Sequence, residues 1–172
     1  LLLDKLEETP GARVINTSSN AHKMGKVDFD NLNAEKGYNA MNQYALSKLA
    51  NLLHVYELDR RLRRARRQTI AVAVHPGGSD TDLMRHMGPF VNKIGMPIGR
   101  LFLNTAAQGA WPTLMGATLP GVEGGAYFGP KGLFELAGPA VRVKSNKRSH
   151  DEAVAKRLWD VSVQLSGVDP GL

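Results

Sequence analysis

The sequence has no cysteine. That excludes disulfides, a thiolate zinc site and a cysteine nucleophile, and it is compatible with a reducing compartment, so a cytoplasmic protein is expected. No apolar run approaches the roughly 20 residues of a membrane-spanning helix. No signal-peptide pattern stands at Leu1. Gly and Pro do not gather in low-complexity runs and no internal repeat is present, which excludes a disordered or solenoid chain. An initiator Met is also absent: the opening LLLDKLEETPG reads like the last turns of a helix already under way.

What is present describes a globular domain. At 172 residues, with 42% hydrophobic and 22% charged side chains, the chain suits a single domain over 1–172 with a real core. The formal charge of +6 raises the question of nucleic acid. Most of the excess, however, is local. Arg60, Arg61, Arg63, Arg64, Arg66 and Arg67 crowd the end of one predicted helix, where the helix dipole favours cations and long side chains are easily solvated. A solvated helix end is therefore the reading adopted, with no nucleic-acid partner and no membrane segment.

Hydrophobic periodicity orders the elements. Arg13 to Thr17 is a short β-branched run ending at Ser18 and Ser19, a buried strand. Asn39 is a suitable N-cap for a helix from about Ala40 to Arg66, whose apolar face comprises Met41, Tyr44, Ala45, Leu49, Leu52, Leu53 and Tyr56. Ile70 to Val74 is a strand apolar on both sides, stopped by His75, Pro76, Gly77 and Gly78. A Met-rich flap over Asp80 to Arg100 suits an apolar ligand. Leu101 to Leu119 reads as a helix with Pro112 inside it, and Ala126 to Phe128 as a last strand. Ser149 opens the final helix in a capping box with Glu152, with Val154, Leu158, Val161 and Leu165 as its buried stripe and Gly167 as its stop. Alternating strands and helices imply a parallel sheet with right-handed crossovers.

The chemistry gathers between Ser18 and Lys48. Tyr44 and Lys48 are four apart on a helix, hence on one face. An ammonium near a phenol favours the phenolate, which makes Tyr44 a candidate general acid/base. Ser19 stands at the carboxyl end of a strand, where open α/β sheets place their ligands, and its hydroxyl can hold a substrate oxygen. The three residue types suit proton transfer to or from an alcohol or carbonyl.

The runs RVINTSSNAH, NQYALSKLAN and AVHPGG together resemble the short-chain dehydrogenase/reductase family. The long interval from Ser19 to Tyr44 and the texture KVDFDNLNAEKGYNAMNQY narrow this to its retinol-dehydrogenase-like and protochlorophyllide-reductase-like branch. The resemblance implies an α/β fold, the later half of a doubly wound, Rossmann-type parallel sheet with helices on both faces. It implies NAD(P)(H) as cofactor, NADP rather than NAD, and a small, apolar alcohol, aldehyde or ketone as substrate. It implies Tyr44 as acid in reduction and base in oxidation, Lys48 lowering the phenol's pKa and binding the cofactor's ribose, and Ser19 binding the reacting oxygen. Pro76 and Gly77 match the motif that approaches the nicotinamide, and Thr81 the threonine after it, although Ser79 replaces the usual apolar residue between them. Family members are often dimers or tetramers, with the long helix after Asn39 a common contact surface, so a homo-oligomer is expected.

Two family features lie nowhere in the sequence: the glycine-rich phosphate-binding turn and the catalytic Asn of the preceding helix. Gly121 to Gly125 and Gly77 to Gly78 lack the spacing of such a turn. The expectation is a fragment of an oxidoreductase, with a truncated or inactive, partner-dependent family member as the alternative. A Ser/His/Asp hydrolase using Ser19 with His22 or His75 lacks the GxSxG elbow. His22, His54, His75, His86 and His150 show no metal-ligand spacing and read as surface or packing residues. The first strand would leave a bare edge prone to pairing. The isolated 172 residues are accordingly expected to fold poorly or to associate, and a cooperative, monomeric thermal transition would contradict this.

Overall fold

The computed structural model describes residues 2–78 and 104–172. The strand Arg13–Thr17 (β1) lies parallel to Ile70–Val74 (β2), with Arg13 opposite Ile70 and Thr17 opposite Val74. Both strands have the bounds expected from their apolar runs. In β2, Ala71 to Val74 are completely buried, as a strand without a polar face requires. Tyr127–Pro130 (β3) continues the parallel sheet at Ala73 and Val74, one residue later than the sequence indicates.

A fourth strand, Ala140–Arg142 (β4), corrects the all-parallel expectation: it returns antiparallel to β3 and ends a sheet of order β1-β2-β3-β4. The reason is the connection. The segment from Lys131 to Pro139 is too short for a crossover helix, and a short turn can join only antiparallel neighbours.

After the single turn Leu3–Glu7 (α1), the main helix is Ala40–Arg64 (α2). Asn39 caps it as expected, its side chain accepting from the Asn42 amide at 3.0 Å. Ala45, Leu49, Leu52, Leu53 and Tyr56 are buried, but Met41 is 51% exposed, so the apolar stripe starts one turn later than the periodicity indicates. At the other end the arginines meet carboxylates of the preceding turn. Arg60 and Arg61 bind Glu57 at 2.8 and 2.7 Å, and Arg63 binds Asp59 at 2.7 Å. Burial opposes ionisation of Glu57, but hydrogen bonds from Arg60 and Arg61 outweigh it and hold the carboxyl below its ordinary range.

The turn Ala106–Gly109 (α3) leads into Trp111–Thr118 (α4), which covers the opposite face of the sheet. These replace the single helix expected here. Pro112 falls in the first turn of α4, where its missing N–H has no helical partner to lose. Gly116 lets α4 sit close to the strands: a Cβ there would stand 3.2 Å from Val74 and 3.3 Å from Val72.

The last helix, Glu152–Ser166 (α5), packs on α2 through Ala155, Leu158 and Trp159, while Leu165 is 66% exposed. Its cap is Asp151, accepting from Val154, and not Ser149. Ser149 is buried in the preceding 3-10 turn Lys147–His150, with its hydroxyl engaged by Ser145 and the Asn146 carbonyl. Gly167 ends α5 in the left-handed conformation at φ +67°, as expected. No helix among the described residues is long and apolar enough to cross a membrane.

Leu52 joins α2 to the sheet in the cluster with Tyr56, Ala71, Ala73 and Tyr127. Leu52→Ala is expected to lower stability by about 2–5 kcal/mol, seen as a lower urea midpoint. An unchanged midpoint would contradict this placement of the core.

Candidate active site

The end of β1 is fastened to two neighbours. The Ser18 amide donates to the Val74 carbonyl at 2.7 Å, extending the ladder with β2. The Ser18 hydroxyl donates to the Lys48 carbonyl at 2.8 Å, and the Asn51 side chain donates to the Thr17 carbonyl at 2.9 Å. These contacts bring the strand end to the stretch of α2 that carries Tyr44 and Lys48.

The paired serines divide. Ser18 is buried and its hydroxyl is engaged. Ser19 is half-buried, and its oxygen accepts from the Ala21 amide at 3.2 Å to cap the 3-10 turn Asn20–Lys23, leaving the hydroxyl hydrogen to donate elsewhere. Tyr44 and Lys48, both half-buried, share a face as the four-residue spacing requires, with the Lys48 Nζ 5.5 Å from the Tyr44 ring centroid.

Pro76 and Gly77 leave the end of β2 beside this point. Gly77 has φ +78°, and a Cβ on it would run into the Leu136 carbonyl and stand 2.7 Å from Pro130. Asn104 holds the turn, its amide donating to the Gly78 carbonyl at 2.9 Å and its side chain to the Pro76 carbonyl at 3.4 Å. Thr81 and the Met-rich segment from Asp80 to Arg100 lie outside the described residues.

Beneath the strand ends is a group that periodicity does not reveal. His22 and His75 are fully buried, their rings 5.8 and 5.2 Å from that of Tyr127. The His22 Nδ1 meets the Ser19 carbonyl at 2.7 Å and its Nε2 accepts from the Asn146 amide at 3.3 Å, which selects the neutral Nδ1–H tautomer. Burial is the main influence holding the His22 imidazole below its ordinary pKa. For His75 burial pulls the value down to about 4, against the pull of the nearby Glu135 carboxylate. The His75 Nε2 is 3.2 Å from the Glu135 Oε2 but is not aligned for a hydrogen bond. Burial also pushes the Tyr127 phenol well above its ordinary value. Ser18, nearby, offers it no well-formed hydrogen bond, since its hydroxyl is directed at Lys48. The strand-ending position of His75 was a signal that it faces the crevice floor; nothing in the spacing distinguished His22.

The turn between β3 and β4 closes over both site loops. Asn20 donates to the Phe134 and Glu135 carbonyls at 2.9 and 3.3 Å, and the Gly78 amide donates to the Leu136 carbonyl at 2.8 Å. Phe134 and Glu135 adopt left-handed φ of +52° and +56°. For residues other than glycine this costs about 1–2 kcal/mol each.

Half-exposed Ser19, Tyr44 and Lys48 at the carboxyl ends of parallel strands fit the ribose and reacting end of a nicotinamide nucleotide. The fit stops there, because no glycine-rich turn for a pyrophosphate occurs in the sequence. An open cavity of about 780 Å³ between Met24, Phe29, Tyr38, Asn42, Leu46 and Arg157 includes none of these three residues, and the strand-end geometry is the better guide to the chemistry.

Fold and site together define an α/β crevice with a Ser, Tyr, Lys constellation. Comparison with known proteins identifies the family. The chain is 38% identical over 170 residues to human retinol dehydrogenase 11, spanning 98% of this chain and 49% of the relative. Human retinol dehydrogenase 13 is 38% identical over 176 residues, with 98% and 50% covered. Mouse retinol dehydrogenase 14 is 36% identical over 174 residues, with 98% and 48% covered. A crystal structure of an uncharacterized protein from Mycobacterium paratuberculosis superposes with a TM-score of 0.75 at 33% identity, over 93% of this chain and 52% of that one. No family model matches. The chain belongs to the retinol-dehydrogenase-like short-chain dehydrogenases/reductases. It spans about half the length of the curated relatives it matches.

The buried imidazoles give the fold an acid-sensitive floor. His75 binds its proton less readily folded than unfolded, so its contribution is complete above the unfolded value near 6.5 and is lost as pH falls towards about 4. Stability should decline across that window, by at most about 3 kcal/mol from this group. His75→Gln should flatten the decline, as read from urea midpoints at a series of pH values; an identical pH profile in the variant would refute the assignment.

Proposed function

We propose that the protein is an NAD(P)-dependent oxidoreductase that interconverts an alcohol and a carbonyl on a small, apolar substrate. The observation that carries this reading is the shared face of Tyr44 and Lys48 beside the Ser19 turn, at the carboxyl edge of a parallel sheet. Names of the relatives support it, since retinol is an apolar alcohol. NADP is the proposed form of the nucleotide.

In this reading Ser19 donates its hydroxyl hydrogen to the substrate oxygen and fixes it near the Tyr44 phenol. Tyr44 gives a proton to that oxygen in reduction and takes one from it in oxidation. Lys48 holds positive charge against the phenol ring, which favours the phenolate, and its ammonium offers hydrogen bonds to a ribose hydroxyl. Ser18 and Asn51 act through others, by holding the strand end against α2. The nicotinamide, when bound, supplies or accepts the hydride. Pro76 and Gly77 form the turn proposed to face it.

The second reading is a partner-dependent or inactive family member. Turnover separates the two. In an assay of NADPH consumption with an apolar aldehyde, Tyr44→Phe should lower kcat by about 10²–10⁴-fold while the thermal transition is kept. Near-normal turnover in the variant would overturn the role of Tyr44, and no turnover by the unaltered protein would favour the second reading.

A further inference from the structure

We propose that the tip of the β3–β4 turn, Leu133 and Phe134, is the apolar wall that selects substrates by the length of their hydrocarbon chain. This rests on the oxidoreductase reading and specifies its substrate class. Leu133 is 79% exposed and Phe134 75%, adjacent in sequence. Single exposed apolar residues are ordinary, but here two large ones stand together, and the backbone of the second disfavours a side chain. Phe134 occupies the left-handed region at φ +52°, which glycine would adopt without strain. The strain gives the tip no core contact in return.

What the tip does hold is the rim of the crevice. Its Phe134 and Glu135 carbonyls receive the Asn20 side chain, one residue from Ser19. Its Leu136 carbonyl receives the Gly78 amide, one residue from Gly77. The Glu135 carboxylate adds an ion pair to Lys23 at 3.4 Å. The turn is thus anchored to the loop holding the reacting oxygen and to the loop proposed to face the nicotinamide. A substrate oxygen at Ser19 places the rest of the molecule beside this rim. A long alkyl or isoprenoid chain can cover Leu133 and Phe134; a short one cannot reach them.

The test compares decanal with propanal, as the ratio of their kcat/KM values, in the unaltered protein, Phe134→Gly and Phe134→Asn. Glycine and asparagine both tolerate the left-handed backbone, so the thermal transition should not fall. The decanal-to-propanal ratio should fall about tenfold in both variants. An unchanged ratio overturns the proposal, and so does an unchanged ratio with a shift in oligomeric state, which would make the tip a contact between copies. Calorimetric titration with decanol separates this proposal from the oxidoreductase reading. If no protein turns over aldehyde yet decanol binds more weakly to both variants, the wall stands and the oxidoreductase reading falls. Equal decanol affinity in all three proteins overturns the wall.

Discussion

The site depends on a pair of hydrogen bonds between β1 and α2: the Ser18 hydroxyl on the Lys48 carbonyl, and the Asn51 amide on the Thr17 carbonyl. Each is worth only about 1 kcal/mol net. Burial of Leu49, Leu52, Leu53, Val55 and Leu62 contributes several times more, so the hydrophobic effect decides that α2 lies against the sheet. It does not decide where along its axis. Sliding the helix by one turn, about 5.4 Å, would keep an apolar face inward yet carry Tyr44 and Lys48 away from Ser19. Directional bonds set that register. A small energy therefore positions what a large energy holds.

The parts of the fold legible in the sequence are those with local causes. β1 and β2 follow from apolar runs bounded by turn residues, and two helix ends from Asn39, whose side chain can accept from the first turn, and Gly167, whose lack of a Cβ admits the left-handed stop. The pairing of Tyr44 with Lys48 follows from helical spacing alone. β4 was not legible, because three residues are too few to show alternation and their pairing with Phe128 to Pro130 is set by the turn before them. The cap of α5 is not legible for a related reason. Ser149 and Asp151 both have capping side chains, and only the tertiary contacts of Ser149 with Ser145 and Asn146 leave the role to Asp151. His75 is marked by its place at the end of β2, but the burial of His22 has no local pattern; it depends on where distant segments meet.

Below the half-exposed hydroxyls lies a layer of neutral polar groups, His22, His75 and Tyr127, where hydrocarbon would be the simpler filling. His22 joins the Ser19 turn to Asn146, so two segments far apart in sequence share one ring. The β3–β4 turn does the same from above, through Asn20 and Gly78. The crevice is thus braced on two levels by contacts that the main core does not supply. The proton-donor role proposed for Tyr44 calls for this kind of support.

The antiparallel return of β4 gives the sheet a direction. On that side the edge is three residues long and offers a newcomer at most a couple of backbone groups. On the other side β1 presents a five-residue edge with no strand beside it among the described residues, in the same orientation as β2. Any further strand can join this sheet productively at only one flank, and if it repeats the orientation of β1 and β2 its carboxyl end arrives beside Ser19. Growth of the sheet and enlargement of the crevice are then a single event.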